Sequence, residues 1–290
     1  MEITFWGVRG SFPVSSPHCA RYGGNTPCIE VNARDTCVII DAGTGIYSLG
    51  KRLVERGQKE IHLLISHTHW DHIHGLPHFA PLHESDVRVH LYALANAHHS
   101  LKGILYRQQQ EPFFPDELDA VEADLHFTDL SEGQRWNIGS IEVQCRRLNH
   151  PSYTGGFRLE SAGKTFSYVS DVDLYGPRLH GEGMNAGSED EKEQKRIELQ
   201  KSALRLAQDT DLMVFDSFFS TDEYKDDWGH SKMEDAVRLG TEANARRIAF
   251  FHHAPSRSDD QLDELVAHYS AEVHRSTDLM AAAEGDHVVL

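Results

Sequence analysis

Residues 66–72 read Ser66-His67-Thr68-His69-Trp70-Asp71-His72, directly after the apolar run His62–Ile65. That run has the length and composition of a buried strand. Four side chains able to bind a metal (His67, His69, Asp71 and His72) fall within six residues. Where a strand runs out into a short loop, alternate side chains share a face, so His67 and His69 point the same way. Asp71 and His72 then turn toward a neighbouring position. Imidazole together with carboxylate suits zinc, manganese or iron. A single helical H-E-x-x-H would serve one ion, whereas this spacing can feed two. The plain alternative is a solvated histidine-rich loop, and the apolar strand leading straight into the segment weighs against it.

Working outward, Glu2–Trp6, Cys28–Ala33 and Thr36–Ile40 are short β-rich runs broken by Gly, Asn and Asp. Ile46–Arg56 is predicted as an amphipathic helix, with Ile46, Leu49, Leu53 and Val54 on one face. Beyond the motif, Val87–Tyr92 is a strand and a helix is expected near Asn96–Gln109. Ile141–Leu148, Gly156–Glu160 and Thr165–Val169 are consecutive strands. Gly181–Glu193 is a polar exposed loop leading into a helix around Glu191–Ala207. Strand Leu212–Phe215, helix Lys232–Ala243, strand Arg247–Phe251, helix Gln261–Tyr269 and a β-rich tail at His287–Leu290 follow. This order predicts an α/β protein, an αββα sandwich of two mixed β-sheets flanked by helices. No composition break divides the chain, so residues 1–290 are expected to form one domain.

Composition limits the function. The chain has 28 Lys and Arg against 45 Asp and Glu, a formal charge of −17, and carries 20 His. With 39% hydrophobic residues it is globular in composition. A surplus of acid weighs against an extended nucleic-acid surface, because phosphate contacts need Lys and Arg. It leaves room for a small anion at a local positive site. No apolar run of about 18 residues is present, so no membrane span is expected, and MEITFWGVRG lacks the form of a signal peptide. Cys19, Cys28, Cys37 and Cys145 form no C-x-x-C pair. They are expected to be reduced thiols in a cytoplasmic protein.

The segment H-T-H-W-D-H resembles the H-x-H-x-D-H signature of the metallo-β-lactamase fold hydrolases. Further elements similar to that family follow at predicted strand ends: Asp41 in I-D-A-G-T-G, His150 in N-H-P, Asp171 in S-D and His252 in F-F-H-H. The resemblance implies that His67, His69 and His150 hold a first metal, that Asp71, His72 and His252 hold a second, and that Asp171 bridges them. It implies two divalent ions, zinc first, with manganese or iron as alternatives. Asp rather than Cys at position 171 is similar to the phosphodiesterase and ribonuclease branches and puts β-lactam hydrolysis in doubt. His252 and His253 are adjacent and only one should point inward; His252, directly after the strand, is preferred. Asp173 competes with Asp171, and His150 has an alternative as a turn residue before Pro151. Asp41 is read either as a group orienting the ligands or as a turn former before Gly43.

A second segment, Trp228-Gly229-His230-Ser231 with Glu234, resembles the G-H-S/T-x-x-E segment of transfer-RNA 3′-processing endonucleases and related cyclic-nucleotide phosphodiesterases. It implies that His230 serves at the scissile phosphate and that Glu234 holds it through a relay. Ser231 and Glu234 also fit a capping box for the helix that begins there. The ribonucleases carry a long basic arm that clamps transfer RNA, and none is found in this sequence. Phe113-Phe114-Pro115 is expected either in the core or as an apolar lid able to stack on a base. F-W-G-V-R-G-S through Y-G-G-N-T-P-C resembles the opening of the small phosphodiesterase-like members, so Arg9 and Asn25 are expected to face the substrate.

The expected function is therefore a dinuclear metal-dependent phosphodiesterase for a small diester, with a cyclic nucleotide as one candidate. Hydroxide bridging the two ions would attack phosphorus, oriented by Asp71. Lactone or ester hydrolysis on the same centre, RNA processing and a non-catalytic metal sensor are the alternatives. Relatives of this kind are often dimers, so the resemblance leaves a homodimer open.

Overall fold

The computed structural model describes residues 1–96, 99–181, 184 and 186–290. Among these residues fourteen strands form two sheets of seven. The first sheet contains β1 (Glu2–Gly7), β2 (Cys28–Ala33), β3 (Thr36–Ile40), β4 (Glu60–Ile65), β5 (Arg88–Leu94), β6 (Asp124–Leu130) and, from the far end of the chain, β14 (His287–Val289). Their order is β14-β1-β2-β3-β4-β5-β6. The second sheet contains β7 (Arg135–Ile138), β8 (Ile141–Leu148), β9 (Thr154–Ser161), β10 (Lys164–Val169), β11 (Leu212–Asp216), β12 (Arg247–Phe251) and β13 (Asp278–Ala281), in the order β13-β12-β11-β10-β9-β8-β7.

Both sheets are built alike. Antiparallel neighbours occupy one side, and β3-β4-β5-β6 or β10-β11-β12-β13 run parallel on the other. Parallel strands need crossovers, and helices supply them. They are α1 (Ile46–Glu55), the short α2 (Trp70–Ile73), α3 (Leu101–Gln108), α4 (Glu189–Ala207), α5 (Met233–Glu242) and α6 (Asp259–Ser270). The period-two alternation of the strands then sorts side chains into three layers. Leu64 faces the inner core with Ile3, Phe5, Phe157, Phe166 and Phe251. Its neighbours Leu63 and Ile65 turn outward to pack under α1 with Leu49 and Leu53. Val169, Phe215 and Phe250 do the same beneath α4 to α6.

The two mixed sheets and their outer helices bear out the expected αββα sandwich. Three strands escaped the sequence: β6, β7 and β13. Each is the edge of its sheet. Edge strands bury little and carry charge against aggregation, which removes the apolar alternation that marks a strand. In β6 (DLHFTDL) only Leu130 is buried. The helix expected from Asn96 begins at Leu101, because Ser100 caps it by accepting from the Gly103 N–H at 3.1 Å. Residues 97 and 98 of that expected helix, and 182, 183 and 185 of the expected loop Gly181–Glu193, lie outside the described residues. No helix among the described residues is long and apolar enough to cross a membrane. All four cysteines are buried and unpaired.

Candidate active site

Strand ends converge on one point between the two sheets. β4 delivers Ser66, His67 and His69, and α2 turns Asp71 and His72 back toward the sheet. From the other sheet β8 delivers His150, β10 delivers Asp171, β11 ends on Asp216 and β12 delivers His252. The C-terminal end of a parallel sheet is where the chain leaves its hydrogen-bond ladder and side chains become free for chemistry.

The ligand atoms form touching groups. His67, His69 and His150 make one; Asp71, His72, Asp171 and His252 make a second, with all donor atoms in each group within 4.8 Å. Asp171 lies between them. Its Oδ2 is 3.2 Å from His72 Nε2, 3.3 Å from His252 Nε2, 3.7 Å from His67 Nε2 and 3.9 Å from His150 Nε2. That is the placement expected of a carboxylate shared by two sites. His69 is the most solvent-open of the set, and its Nδ1 lies 3.1 Å from His150 Nε2.

Hydrogen bonds behind the rings fix which nitrogen faces the centre. His72 Nδ1 donates to Asp41 Oδ2 at 2.8 Å, and His150 Nδ1 donates to the Gly229 carbonyl at 2.7 Å. Each therefore presents Nε2. Asp41 also accepts from the Ser66 N–H, the Ser66 hydroxyl and the Tyr168 hydroxyl. So Asp41 orients rather than binds, and more than a turn former it anchors both sheets at the site. His252 packs against Gly10, where any Cβ would sit 2.5 Å from the ring. The next residue donates its backbone: Ser11 N–H bonds Asp71 Oδ2 at 2.7 Å.

Four fully or nearly buried carboxylates (Asp41, Asp71, Asp171 and Asp216) meet here. Among the described residues no Lys or Arg pairs with any of them; their ion-pair partners are histidines. Buried charge without compensation is costly. Burial alone would push Asp171 up, yet His252 and His72 beside it hold it well below the usual carboxylate range. His72 is correspondingly pushed up by Asp171, Asp71 and Asp41 against its burial. His67 is pushed well down by burial and by His72, which keeps it a neutral lone-pair donor. Its Nε2 is buried with no hydrogen-bond partner among the described residues. Clustered carboxylates without Lys or Arg, a neutral His67 and its unsatisfied Nε2 are what a pair of divalent cations would satisfy.

The remaining expectations divide. His252, not its neighbour, enters the cluster; His253 Nε2 donates to the Ala282 carbonyl at 2.9 Å, away from it. Asp173 bonds Tyr224 and His180, leaving Asp171 at the centre. His230 stands at the rim, its Nδ1 4.0 Å from Asp171 Oδ2. Its holding carboxylate, however, is Asp216, with Nδ1 donating to Oδ2 at 2.8 Å. Glu234 instead bonds Tyr269 on α6, so the expected Glu234 relay is corrected to Asp216. The Ser231–Glu234 capping box is also absent. Ser231 Oγ donates to the Val172 carbonyl and accepts from the Leu174 N–H, and it lies one residue too early to cap. The helix starts after Lys232, whose N–H is taken by Asp235.

Arg9 and Asn25 do not face the centre. Arg9 is fully buried and donates to the carbonyls of Gly23, Ala254 and Arg257. Asn25 is held by Glu284 and Thr44. Between them, Gly10 and Ser11 supply what that segment contributes. Phe113 is 76% exposed, and with Phe114 it lines a cavity against Trp70 and Thr68 of the motif, so the segment is not core. Asp216 and Tyr168 were not foreseen. Asp216 ends an apolar strand as Asp41 and Asp171 follow theirs, and that same signal was available for it.

The fold and its carboxylate–histidine centre are those of a metal-dependent hydrolase. The family described as Beta-lactamase superfamily domain matches residues 36–186, from β3 through the motif, His150 and Asp171, and the chain belongs to it. Ribonuclease Z of Haloarcula marismortui is 23% identical over 309 residues, covering 97% of this chain and 96% of that protein. The human short-form tRNase Z shares the fold with a TM-score of 0.65 and 16% identity, over 100% of this chain and 99% of that one. Yeast PDE1 does so with a TM-score of 0.64 and 17% identity, again over 100% and 99%. Within that superfamily, ribonuclease Z and PDE1 are among the proteins this chain is similar to.

Proposed function

We propose that this protein is a dinuclear phosphodiesterase that hydrolyses a small phosphodiester, with a cyclic nucleotide as one candidate. The observation that carries it is the single Asp171 carboxylate set between two ligand groups, with His230 beside it. His67, His69 and His150 would hold one ion and Asp71, His72 and His252 the other, with Asp171 common to both. Ions bound there supply positive charge to the diester and lower the pKa of water. The chain's own residues do the rest. Asp71, held by the Ser11 N–H, orients the attacking water with its carboxylate. Burial would make His230 harder to protonate, but Asp216 outweighs it and pushes the imidazole up to about 9. His230 is therefore a proton donor at neutral pH, suited to the leaving oxygen. The four buried, free thiols suit a reducing cytoplasm.

The ribonuclease Z relatives favour RNA as a second substrate class. The −17 charge favours a short diester over a long one. One assay separates these and the ester alternative: apoprotein reloaded with Zn²⁺, Mn²⁺ or Fe²⁺, offered bis(p-nitrophenyl) phosphate, a lactone and a precursor transfer RNA. Diester turnover in at least one metal is expected. Turnover of the lactone alone, or of RNA alone, would contradict the proposal.

A further inference from the structure

Asp216 grips two residues at once. Its Oδ2 accepts from His230 Nδ1 at 2.8 Å, and its Oδ1 accepts from the Phe218 N–H at 3.2 Å. The Phe218 ring folds back onto the imidazole, with ring centroids 4.8 Å apart and planes 16° from parallel. Among the described residues three other rings approach His230, and all are more tilted: His252 at 30°, His150 at 54° and Phe219 at 63°. The Arg257 guanidinium holds Phe218 from the other end, donating to its carbonyl at 3.2 Å and to the Glu223 carboxylate at 2.5 Å. Phe218 is buried, yet it belongs to none of the three core layers. With Phe219 and Ala254 it forms a small apolar cluster of its own. A hydrogen bond at one ring nitrogen tolerates roughly 30° of bend before it weakens. Nδ1 is spent on Asp216, so Nε2 is the nitrogen left for a leaving oxygen. A tilt of that size carries Nε2 through about 1 Å, a misplacement that can cost about a hundredfold in rate. A flat ring stacked on the imidazole removes that tilt, and its face also favours a cation above it.

We infer that Phe218 is a positioning residue for His230: its face sets the plane of the imidazole and so aims Nε2 at the leaving oxygen of the diester. The inference rests on the phosphodiesterase proposal and names the residue that aims its proton donor. As water adds to phosphorus and the bond from phosphorus to the leaving oxygen breaks, the Nε2 proton passes to that oxygen. Asp216 fixes where the imidazole sits, and Phe218 fixes which way it faces.

The test uses two diesters that differ in their need for that proton. Methyl p-nitrophenyl phosphate releases p-nitrophenolate, an anion stable near neutral pH, whereas methyl phenyl phosphate releases the far more basic phenolate. Phe218→Leu keeps an apolar side chain but removes the flat face. In the metal-loaded protein it should lower kcat for the phenyl ester at least about tenfold, with KM and the p-nitrophenyl ester changed by no more than about twofold. An equal loss with both esters, or a loss with neither, would overturn the inference while leaving the phosphodiesterase proposal standing. In a His230→Ala background Phe218→Leu should cost nothing more, because its effect runs through His230. A further loss there would mark Phe218 as packing alone and overturn the inference. Turnover of neither ester by the parent would count against the phosphodiesterase proposal, so the ring is also read without turnover. In isotope-labelled protein the His230 Nδ1 proton, held by Asp216, should give a resolved low-field resonance. Phe218→Leu should speed its exchange with water at least about tenfold. An unchanged exchange rate would overturn the inference.

Discussion

Histidines gather in two places in this molecule. At the C-terminal strand ends, His67, His72, His150 and His252 are buried around Asp171. On the same first sheet, parallel register stacks His62, His90 and His126 in adjacent strands. Their rings lie 4.7 and 5.0 Å apart. Donor distances alone would qualify both, since Glu60, His62 and His90 also lie within 4.8 Å of one another. What separates them is the chemistry behind the rings. In the buried cluster, Asp41 and the Gly229 carbonyl fix the nitrogens, and the Asp171 carboxylate, with no Lys or Arg partner among the described residues, sits in the middle. In the ladder, Glu60 is half exposed and already bonds His90 Nε2 at 2.6 Å, with Arg88 beside it. Donors that are prearranged and lack a Lys or Arg partner mark the candidate metal centre; donors that satisfy one another define a sheet surface.

The largest effect should follow from removing the shared carboxylate. Asp171→Asn is expected to lose bound metal and at least about a thousandfold in diester turnover, since both ligand groups lose their common member. Element analysis alongside kinetics checks this, and full metal with full rate would break the comparison. A smaller loss is expected from Asp216→Asn. The metal should stay while kcat falls about a hundredfold with little change in KM, the scale of losing a positioned general acid. An equal drop in Glu234→Gln would restore the relay that the structure replaces.

The smallest effect belongs to the ladder. Burial, with His90 adding to it, pushes His62 down to about 4. The unfolded chain takes up that proton near pH 6.5, the folded one only near 4. The unfolded state therefore binds more protons in that window, and stability is lost as pH falls from about 6.5 toward 4. Discounted for partial exposure, His62 accounts for about 1 kcal/mol of that loss. Denaturant melts of His62→Gln should show a correspondingly shallower pH dependence between pH 7 and 4.5. An unchanged slope would show that the ring is solvated in the folded state.

The motif at 66–72 made much of this legible before any coordinates. The paired sheets and the preference for His252 over His253 follow from strand ends and their order, whereas the two ligand groups are implied by the resemblance of the motif and its later partners to a known family. Elsewhere local signals misled. Ser231 and Glu234 have capping-box spacing, but Ser231 is drawn off by Val172 and Leu174 from another element. The resemblance of its segment implies that Arg9 faces the substrate, yet Arg9 is buried and donates to three backbone carbonyls. Asp216 meets His230 across 14 residues and a strand-to-helix turn, a pairing that no local pattern encodes. The edge strands were hidden because their solvation erases the apolar alternation that marks inner strands.

The central claim is tested most directly by titrating apoprotein with Zn²⁺ by calorimetry, parent beside His90→Ala. Two tight equivalents per chain are predicted for both proteins. Fewer than two in the parent, or the loss of one in His90→Ala, would contradict the assignment of the metals to the buried cluster.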